Sequence, residues 1–331
     1  MTLPAIIGFT ITLLLSNFFA IAGNGSPAIA VDFPHTGVVF GAIDQVSSLP
    51  EEIYFSVYPE KNLPKNQVKL AIPKNNTAKN DLSVKASSSV AVDRDSNTVL
   101  WQKDVDTQRP IGSITKLMTA LVFLDTNPDW EKIYELKKED VRLGGKSYIY
   151  PGDKVKIRDL FFLTLVGSDN TAAVAMVKSA GFSEEEFVKK MNEKSENFGL
   201  TQTSFSDISG LSYENVSNAK ELSVLAKKCL AKEKIRNTSI QAEYNFSTVG
   251  GRDVKVFSTD FLLSIFPQDG INIIGGKTGH IDESGYCFVG EFSNESGHKI
   301  ISVVLGAGSD EDRFVETKKL VKWAYDSYSW Q

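Results

Sequence analysis

The chain has 331 residues, with 36 Lys and Arg against 41 Asp and Glu, for a formal charge of −5. That balance offers no basic excess for nucleic acid, and 42% hydrophobic with 23% charged residues excludes a wholly disordered or fibrous chain. The two cysteines, Cys229 and Cys287, are far apart and outside any C-x-x-C pattern, which excludes a disulfide scaffold and a cysteine zinc site and leaves either one bridge or two inert buried thiols.

Residues 1–30 contain no Asp, Glu, Lys or Arg, and residues 3–22 are apolar apart from Gly8, Thr10, Thr12, Ser16 and Asn17. Such a run is expected to be an export signal or a membrane anchor. Two small-x-small sites, Ala20-Ile21-Ala22 and Ala28-Ile29-Ala30, suit a signal peptidase, and the first lysine is Lys61. Asp32, Asp44, Glu51 and Glu52 follow, in agreement with a C-terminal part outside the membrane. Cleaved or retained, the segment places the working domain outside the cytoplasm. Residues 31–85 hold five of the eleven prolines (Pro34, Pro50, Pro59, Pro64 and Pro73) and a polar stretch over 74–81. Proline and polar runs resist helices and central strands, so a spacer is expected, with a short strand over 53–57; a small extra domain is the alternative.

From Ser87 the pattern is regular, and a catalytic domain is expected over residues 86–331. Residues 89–92 and 98–103 read as a hairpin around the turn Arg94-Asp95-Ser96-Asn97. Residues 114–124 have helical spacing, as do 157–180 with a break around Gly167. Ser183 with Glu186, and Asn218 with Glu221, read as capping boxes that open helices towards Phe198 and Leu230. Strands are expected over 244–249, 254–258, 271–275, 286–293 and 299–305, then a final helix over 313–328. Strands at both ends with helices between predict an α+β fold, a helical insert lying between two parts of one sheet.

The histidines are His35, His280 and His298. H-E-x-x-H and a phosphate loop are both absent, so a zinc protease or a His-based triad has poor support and no metal or cofactor is expected. A hydrolase without histidine takes lysine as its base. Ser113-Ile114-Thr115-Lys116 supplies one, because residues three apart share a helix face. Two further S-x-x-K matches, Ser217–Lys220 and Ser296–Lys299, fall across a helix cap and in a turn. Ser113 instead follows Arg109-Pro110-Ile111-Gly112 and opens an apolar helix, whose N-terminus favours an anion. Ser168-Asp169-Asn170 then interrupts a helical region after Gly167, and Lys277-Thr278-Gly279 is expected to close the strand that begins at Ile271. The ordered set S-x-x-K, S-D-N, K-T-G is that of β-lactamases and penicillin-binding proteins.

The segment from Arg109 to Ala120 resembles the active-site segment of the low-molecular-mass penicillin-binding proteins that act as D-alanyl-D-alanine carboxypeptidases. Gly276-Lys277-Thr278-Gly279-His280, followed by Ser284-Gly285-Tyr286, resembles that family's third motif, and Arg313 is similar to its carboxylate-holding arginine. The resemblance covers roughly residues 86–331, including Trp323-Ala324-Tyr325. It implies a transpeptidase/β-lactamase-like fold, a five-stranded antiparallel sheet flanked by helices with a helical subdomain. A C-terminal β-domain and amphipathic anchor are not found here, so attachment would rest on residues 3–22.

The resemblance further implies a serine peptidase that removes the terminal D-alanine of a peptidoglycan stem peptide and is acylated by β-lactams. Ser113 is the nucleophile and Lys116 its base, which must be neutral at a cost of about 4–5 kcal/mol from the ordinary lysine value at pH 7. Burial and the charge of Lys277 lower that cost. The backbone N–H groups of Ser113 and His280 form the oxyanion hole. Ser168 relays a proton to the leaving amine, Asn170 holds the substrate amide, and Thr278, beside Gly279, grips the carboxylate with Arg313. Asp169 has no assigned role. Endopeptidase action on cross-links uses the same motifs and stays open. A class A β-lactamase would need E-x-x-L-N downstream, and residues 198–217 offer only Glu214 without that pattern. A catalytically silent surface module is the remaining alternative, although no catalytic member is substituted.

Overall fold

The computed structural model describes residues 28–33, 37–42, 56–57, 72–76 and 82–330. The apolar segment 3–22, His35 and residues 77–81 of the polar stretch lie outside them. The chain divides into two compact units, Met1–Lys69 and Leu70–Gln331. In the first, Ala28–Phe33 pairs antiparallel with Gly37–Ala42 on one side and Ser56–Val57 on the other. Of the strand expected over 53–57, only Ser56–Val57 is described. The second unit begins ahead of residue 86, the start read from the sequence, because Pro73–Asn75 pairs with Tyr328–Trp330 after the final helix.

The second unit is built on one sheet. In chain order its main elements are β1 (Ser88–Asp93), β2 (Val99–Lys103), α1 (Thr115–Leu124), α2 (Ile157–Leu165), α3 (Asn170–Ser179), α4 (Glu184–Asn197), α5 (Ala219–Leu230), β3 (Ile271–Ile281), β4 (Gly285–Asn294), β5 (Lys299–Ala307) and α6 (Asp310–Ser327). The five-stranded sheet runs β3-β4-β5-β1-β2, antiparallel throughout. The N-terminal hairpin therefore joins the C-terminal meander through β5 and β1, with Ser302 opposite Ala91, and the helical segment is inserted between them. That is the α+β layout expected from the element order.

Alternation along the central strands makes two cores. Val90, Val289, Ile301 and Val303 pack with Leu222, Leu225 and Cys229 of α5 on one face. Ala91, Phe288, Ile300 and Val304 pack with Phe314, Leu320 and Val321 of α6 on the other. Each strand residue thus points to the face opposite its neighbour, the period-2 rule that lets one sheet bury both sides. α1 is buried from Thr115 to Phe123; a helix apolar all round belongs in an interior, and α1 lies at the centre of the first core.

Three local expectations are corrected. β3 does not end before Lys277 but runs on to Ile281 as an edge strand. Its glycines are close-approach positions rather than strand breakers: a methyl on Gly275 would lie 2.7 Å from Leu230, and one on Gly276 2.7 Å from Phe288. α6 starts at Asp310, three residues before Arg313, because Ser309 accepts from the Asp312 N–H at 3.0 Å and the acidic first turn suits the helix N-terminus. Ser183 and Glu186 form the reciprocal capping box, whereas Asn218 caps α5 alone: the Glu221 carboxylate is taken by the Gln202 N–H at 2.9 Å and the Thr203 hydroxyl at 2.6 Å.

Candidate active site

The three motifs meet at one cleft of about 670 Å³, whose lining includes Ser113, Ser168, Asn170, Thr278, Gly279, His280 and Arg313. Ser113 lies in a 3-10 turn, Gly112–Ile114, that runs directly into α1. Gly112 sets that turn: its φ of +53° suits glycine, and a methyl there would lie 2.7 Å from the His280 nitrogen. A methyl on Gly279 would lie 2.3 Å from the Ile111 carbonyl oxygen. Edge strand β3 and the turn carrying Ser113 are thus in backbone contact, which only residues without a side chain permit.

Lys116 follows one turn later and is wholly buried. Its Nζ lies 2.8 Å from Ser113 Oγ and donates to Asn170 Oδ1 at 2.6 Å and the Ser209 carbonyl at 2.6 Å. Two of these partners are compulsory acceptors, so a neutral amine can spend its two N–H groups on them and accept from the Ser113 hydroxyl. Burial lowers the Lys116 pKa from 10.5 to about 7, against the opposing charges of Asp207 and Asp169. Desolvation is therefore the main cause of the shift, larger than any neighbouring charge.

Between α2 and α3 the chain breaks at residues 166–169 and turns through Ser168, at φ +56°. Asp169, without a role in the sequence reading, caps α3 by accepting from Ala172 N–H at 3.0 Å, and accepts from Tyr148 N–H at 2.8 Å. Asn170 is clamped by donating to the Gly144 carbonyl at 2.7 Å. Lys277, also buried, reaches from β3 to Ser168 Oγ at 2.8 Å, the Thr278 carbonyl at 3.1 Å and Thr278 Oγ1 at 3.3 Å. Burial depresses its pKa well below the ordinary lysine value, and the positive charges of Lys116 and Arg313 act in the same direction.

Arg313 is 6% exposed, so the charged stretch around it does not make it a surface residue. It donates to the Gly279 carbonyl at 3.2 Å, pairs with Asp310 and sits over the Tyr286 ring at 5.7 Å. The His280 ring is exposed at the cleft and stacks on Tyr286 at 4.0 Å. Of the candidate site residues, Ser113, Ser168, Asn170, Thr278, Gly279, His280 and Arg313 line the cleft, and Lys116 and Lys277 are bonded to its serines.

The family model for D-alanyl-D-alanine carboxypeptidase matches residues 74–309. The chain belongs to this family. Among the family's curated proteins, the D-alanyl-D-alanine carboxypeptidase DacF of Bacillus subtilis is 30% identical over 257 residues, 75% of this chain and 64% of its own length. A D-alanyl-D-alanine endopeptidase of Haemophilus influenzae is 37% identical over 223 residues, 67% of this chain and 74% of that protein. The crystal structure of penicillin-binding protein D2 from Listeria monocytogenes, in its ampicillin-bound form, superposes with a TM-score of 0.64 at 29% identity, covering 75% of this chain and all of that one. The chain therefore has the penicillin-binding, transpeptidase-like fold, and spans about two thirds of the DacF length.

Several residues at the site carry no motif. Asp207 accepts from the N–H groups of Ser209, Gly210 and Ser212 and so shapes the loop whose Ser209 carbonyl meets Lys116. Thr259 lies in the cleft wall with its hydroxyl 2.6 Å from Thr278 Oγ1, and its N–H donates to the Val166 carbonyl just before Ser168. Asp260 is buried beside it. Thr259 acts on Thr278 and Val166, far away in sequence, so no local pattern marks it. Asp207 and Asp260 bond to N–H groups within five residues, a common loop pattern that does not by itself point to a site. The carbonyls of Ser209 and Gly144 act through the backbone, which any residue type supplies.

Proposed function

We propose that this protein is a serine-type D-alanyl-D-alanine carboxypeptidase that trims the terminal D-alanine from peptidoglycan stem peptides. The observation that carries the reading is the contact between Ser113 Oγ and Lys116 Nζ at 2.8 Å, with the amine buried and its pKa lowered to about 7. Ser113 Oγ attacks the carbonyl between the two D-alanines while Lys116 takes its proton, giving a tetrahedral oxyanion held by the N–H groups of Ser113 and His280. Collapse expels the terminal D-alanine, whose nitrogen takes the proton held by Lys116, relayed through Ser168, which is hydrogen-bonded to Lys277, and Lys116 is left neutral again. Water then adds to the acyl-enzyme, Lys116 accepting its proton and returning it to Ser113 Oγ as the ester bond breaks and the shortened peptide leaves. Asn170 orients the substrate amide, and Thr278 and Arg313 hold the terminal carboxylate. A β-lactam acylates Ser113 by the same first step, as the ampicillin-bound relative suggests.

Endopeptidase action on cross-links is the second reading, favoured by the 37% identity to a protein of that name. Incubating the purified protein with a pentapeptide stem and with a cross-linked dimer, and weighing the products, separates the two: release of one alanine from the stem supports the carboxypeptidase, and cleavage of the dimer alone overturns it. A peptidoglycan substrate requires action outside the cytoplasm. We propose residues 1–30 as the export signal or membrane anchor, residues 31–85 as the spacer, whose strand Pro73–Asn75 is paired to the catalytic part, and residues 86–331 as that catalytic part. Among the described residues no helix is long and apolar enough to cross a membrane. Fusing residues 1–35 to a reporter should carry it across the membrane; a reporter that stays in the cytoplasm removes the export role.

A further inference from the structure

Asp260 is a buried carboxylate that the mechanism above does not use. It is 5% exposed; Oδ1 accepts from the Leu262 N–H at 3.0 Å, and Oδ2 has no hydrogen-bond partner among the described residues. An unpaired buried carboxylate oxygen is costly unless charge of the opposite sign is near. Its place is specific: a methyl on Gly276 would lie 3.2 Å from Oδ2, so the group rests on the backbone of β3 immediately before Lys277. The preceding residue, Thr259, fastens the same segment to Thr278 Oγ1 at 2.6 Å.

The charged groups around it come from three elements. Lys277 is on β3, Arg313 on α6, and Lys116 on α1 beyond Lys277. Arg313 has an ion pair with Asp310 at the surface, and Lys116 faces Asp169 and Asp207. Among the described residues the Lys277 amine has hydrogen bonds to oxygens of Ser168 and Thr278, and Asp260 is the negative group that favours its charged form. The Arg313 Nε is likewise buried without a hydrogen-bond partner among the described residues, and Asp260 favours that charge too.

We propose that Asp260 is a positioning residue for Lys277, the buried countercharge that keeps the Lys277 ammonium and the Arg313 guanidinium together behind Thr278. This rests on the reading of the cleft as a serine D,D-peptidase site. Ionised Asp260 raises the affinity of Lys277 for its proton, so loss of the charge makes Lys277 deprotonate at lower pH. Burial raises the Asp260 pKa to about 7, only partly offset by the Leu262 N–H, Lys277 and Arg313, so the effect is present above about pH 7 and fades below it.

The test is Asp260→Asn, which keeps an oxygen for the Leu262 N–H and removes the charge. Rates of acylation by benzylpenicillin, which carries a carboxylate, are measured against pH beside those of a small thioester that lacks one and whose thiolate leaves without a proton. Wild type and variant are expected to coincide below about pH 7. At alkaline pH the variant should lose about 10-fold with penicillin, equivalent to a one-unit shift of the alkaline limb to lower pH, and should keep its rate with the thioester. Asp260→Ser, which also caps, should reproduce the shift, and Asp260→Glu should move the limb back. Superimposable profiles, or equal losses on both substrates at every pH, overturn the proposal and leave Asp260 as a cap. A wild type that reacts with neither penicillin nor a D-Ala-D-Ala peptide removes the function reading and this role with it; an active wild type with an indifferent Asn variant removes this role alone.

Discussion

The cleft contains two lysine–serine pairs that look alike and are built differently. Lys116 with Ser113 and Lys277 with Ser168 have the same separation, 2.8 Å, and both lysines are buried. Lys116 is held by an amide oxygen and a backbone carbonyl, beside two carboxylates, at the start of a central helix. Lys277 is held mainly by hydroxyls, on an edge strand, beside two other cations and one carboxylate. The comparison teaches that a pair distance does not assign a role; the surroundings do. Compulsory acceptors around Lys116 leave its lone pair for Ser113, as a base requires. Hydroxyls around Lys277 can either give or take a proton, as a relay requires.

The sharpest way to break this contrast is to exchange the serines one at a time. Ser113→Ala is expected to abolish labelling by a fluorescent penicillin without unfolding the protein. Ser168→Ala should slow labelling by about 10²–10⁴-fold, the scale of a lost proton-transfer group, yet still give a labelled protein. An adduct mapped by mass spectrometry to Ser168 in the Ser113→Ala protein would reverse the two roles.

A smaller effect concerns pH. Only neutral Lys116 can take the Ser113 proton, and its pKa is lowered to about 7 by burial. The acylation rate should therefore rise with pH and level off above about 7, about tenfold per unit on the acid side. A stopped-flow profile that keeps climbing towards the ordinary lysine value would show that burial does not lower the Lys116 pKa in the working site, and a profile with no acid limb would show that Lys116 is not the base.

Arg313 sharpens the comparison from the substrate's side. Arg313→Ala should lower kcat/KM for a peptide ending in D-Ala-D-Ala by roughly 10–150-fold, the value of a charge-assisted contact of about 1.5–3 kcal/mol. A C-terminally amidated analogue should be poor for the wild type and lose little more. Acylation by the thioester should change least, since Ser113 and Lys116 are untouched. Equal losses on all three would make Arg313 a structural residue.

The smallest expected effect is on stability. Gly279→Ala puts a methyl 2.3 Å from the Ile111 oxygen, so the strand and the Ser113 turn must separate. A cost of about 1–3 kcal/mol should appear as a lowered Tm in a thermal melt, with slower penicillin labelling because Ser113 and His280 move apart. A Tm loss with unchanged labelling would dissociate that backbone contact from the chemistry.

Local patterns carried most of the fold. The hairpin, the broken helix around Gly167 and the cap at Ser183 were legible because each depends on residues within a few positions of one another. Errors arose where a distant partner decided. Gly275, Gly276 and Gly279 read as the end of a strand, but their missing side chains make room for Leu230, Phe288 and Ile111. The start of α6 is the exception, since Ser309 and the acids after it are a local signal for a helix that begins three residues before Arg313.

From its residues alone the chain determined the three local sets to which we assign the chemistry: Ser113 with Lys116 three residues on, Ser168 with Asn170, and Lys277 with Thr278. Each motif is local, and one helical turn or one loop suffices to set its internal spacing. Only the tertiary structure decided what those groups are chemically. Desolvation of Lys116 beneath α1, the cation neighbours of Lys277, the burial of Arg313 and the presence of Asp260 all arise when segments far apart in the chain pack together. A pKa is set by dielectric and by charge within a few ångströms, and neither is a property of a short stretch of sequence.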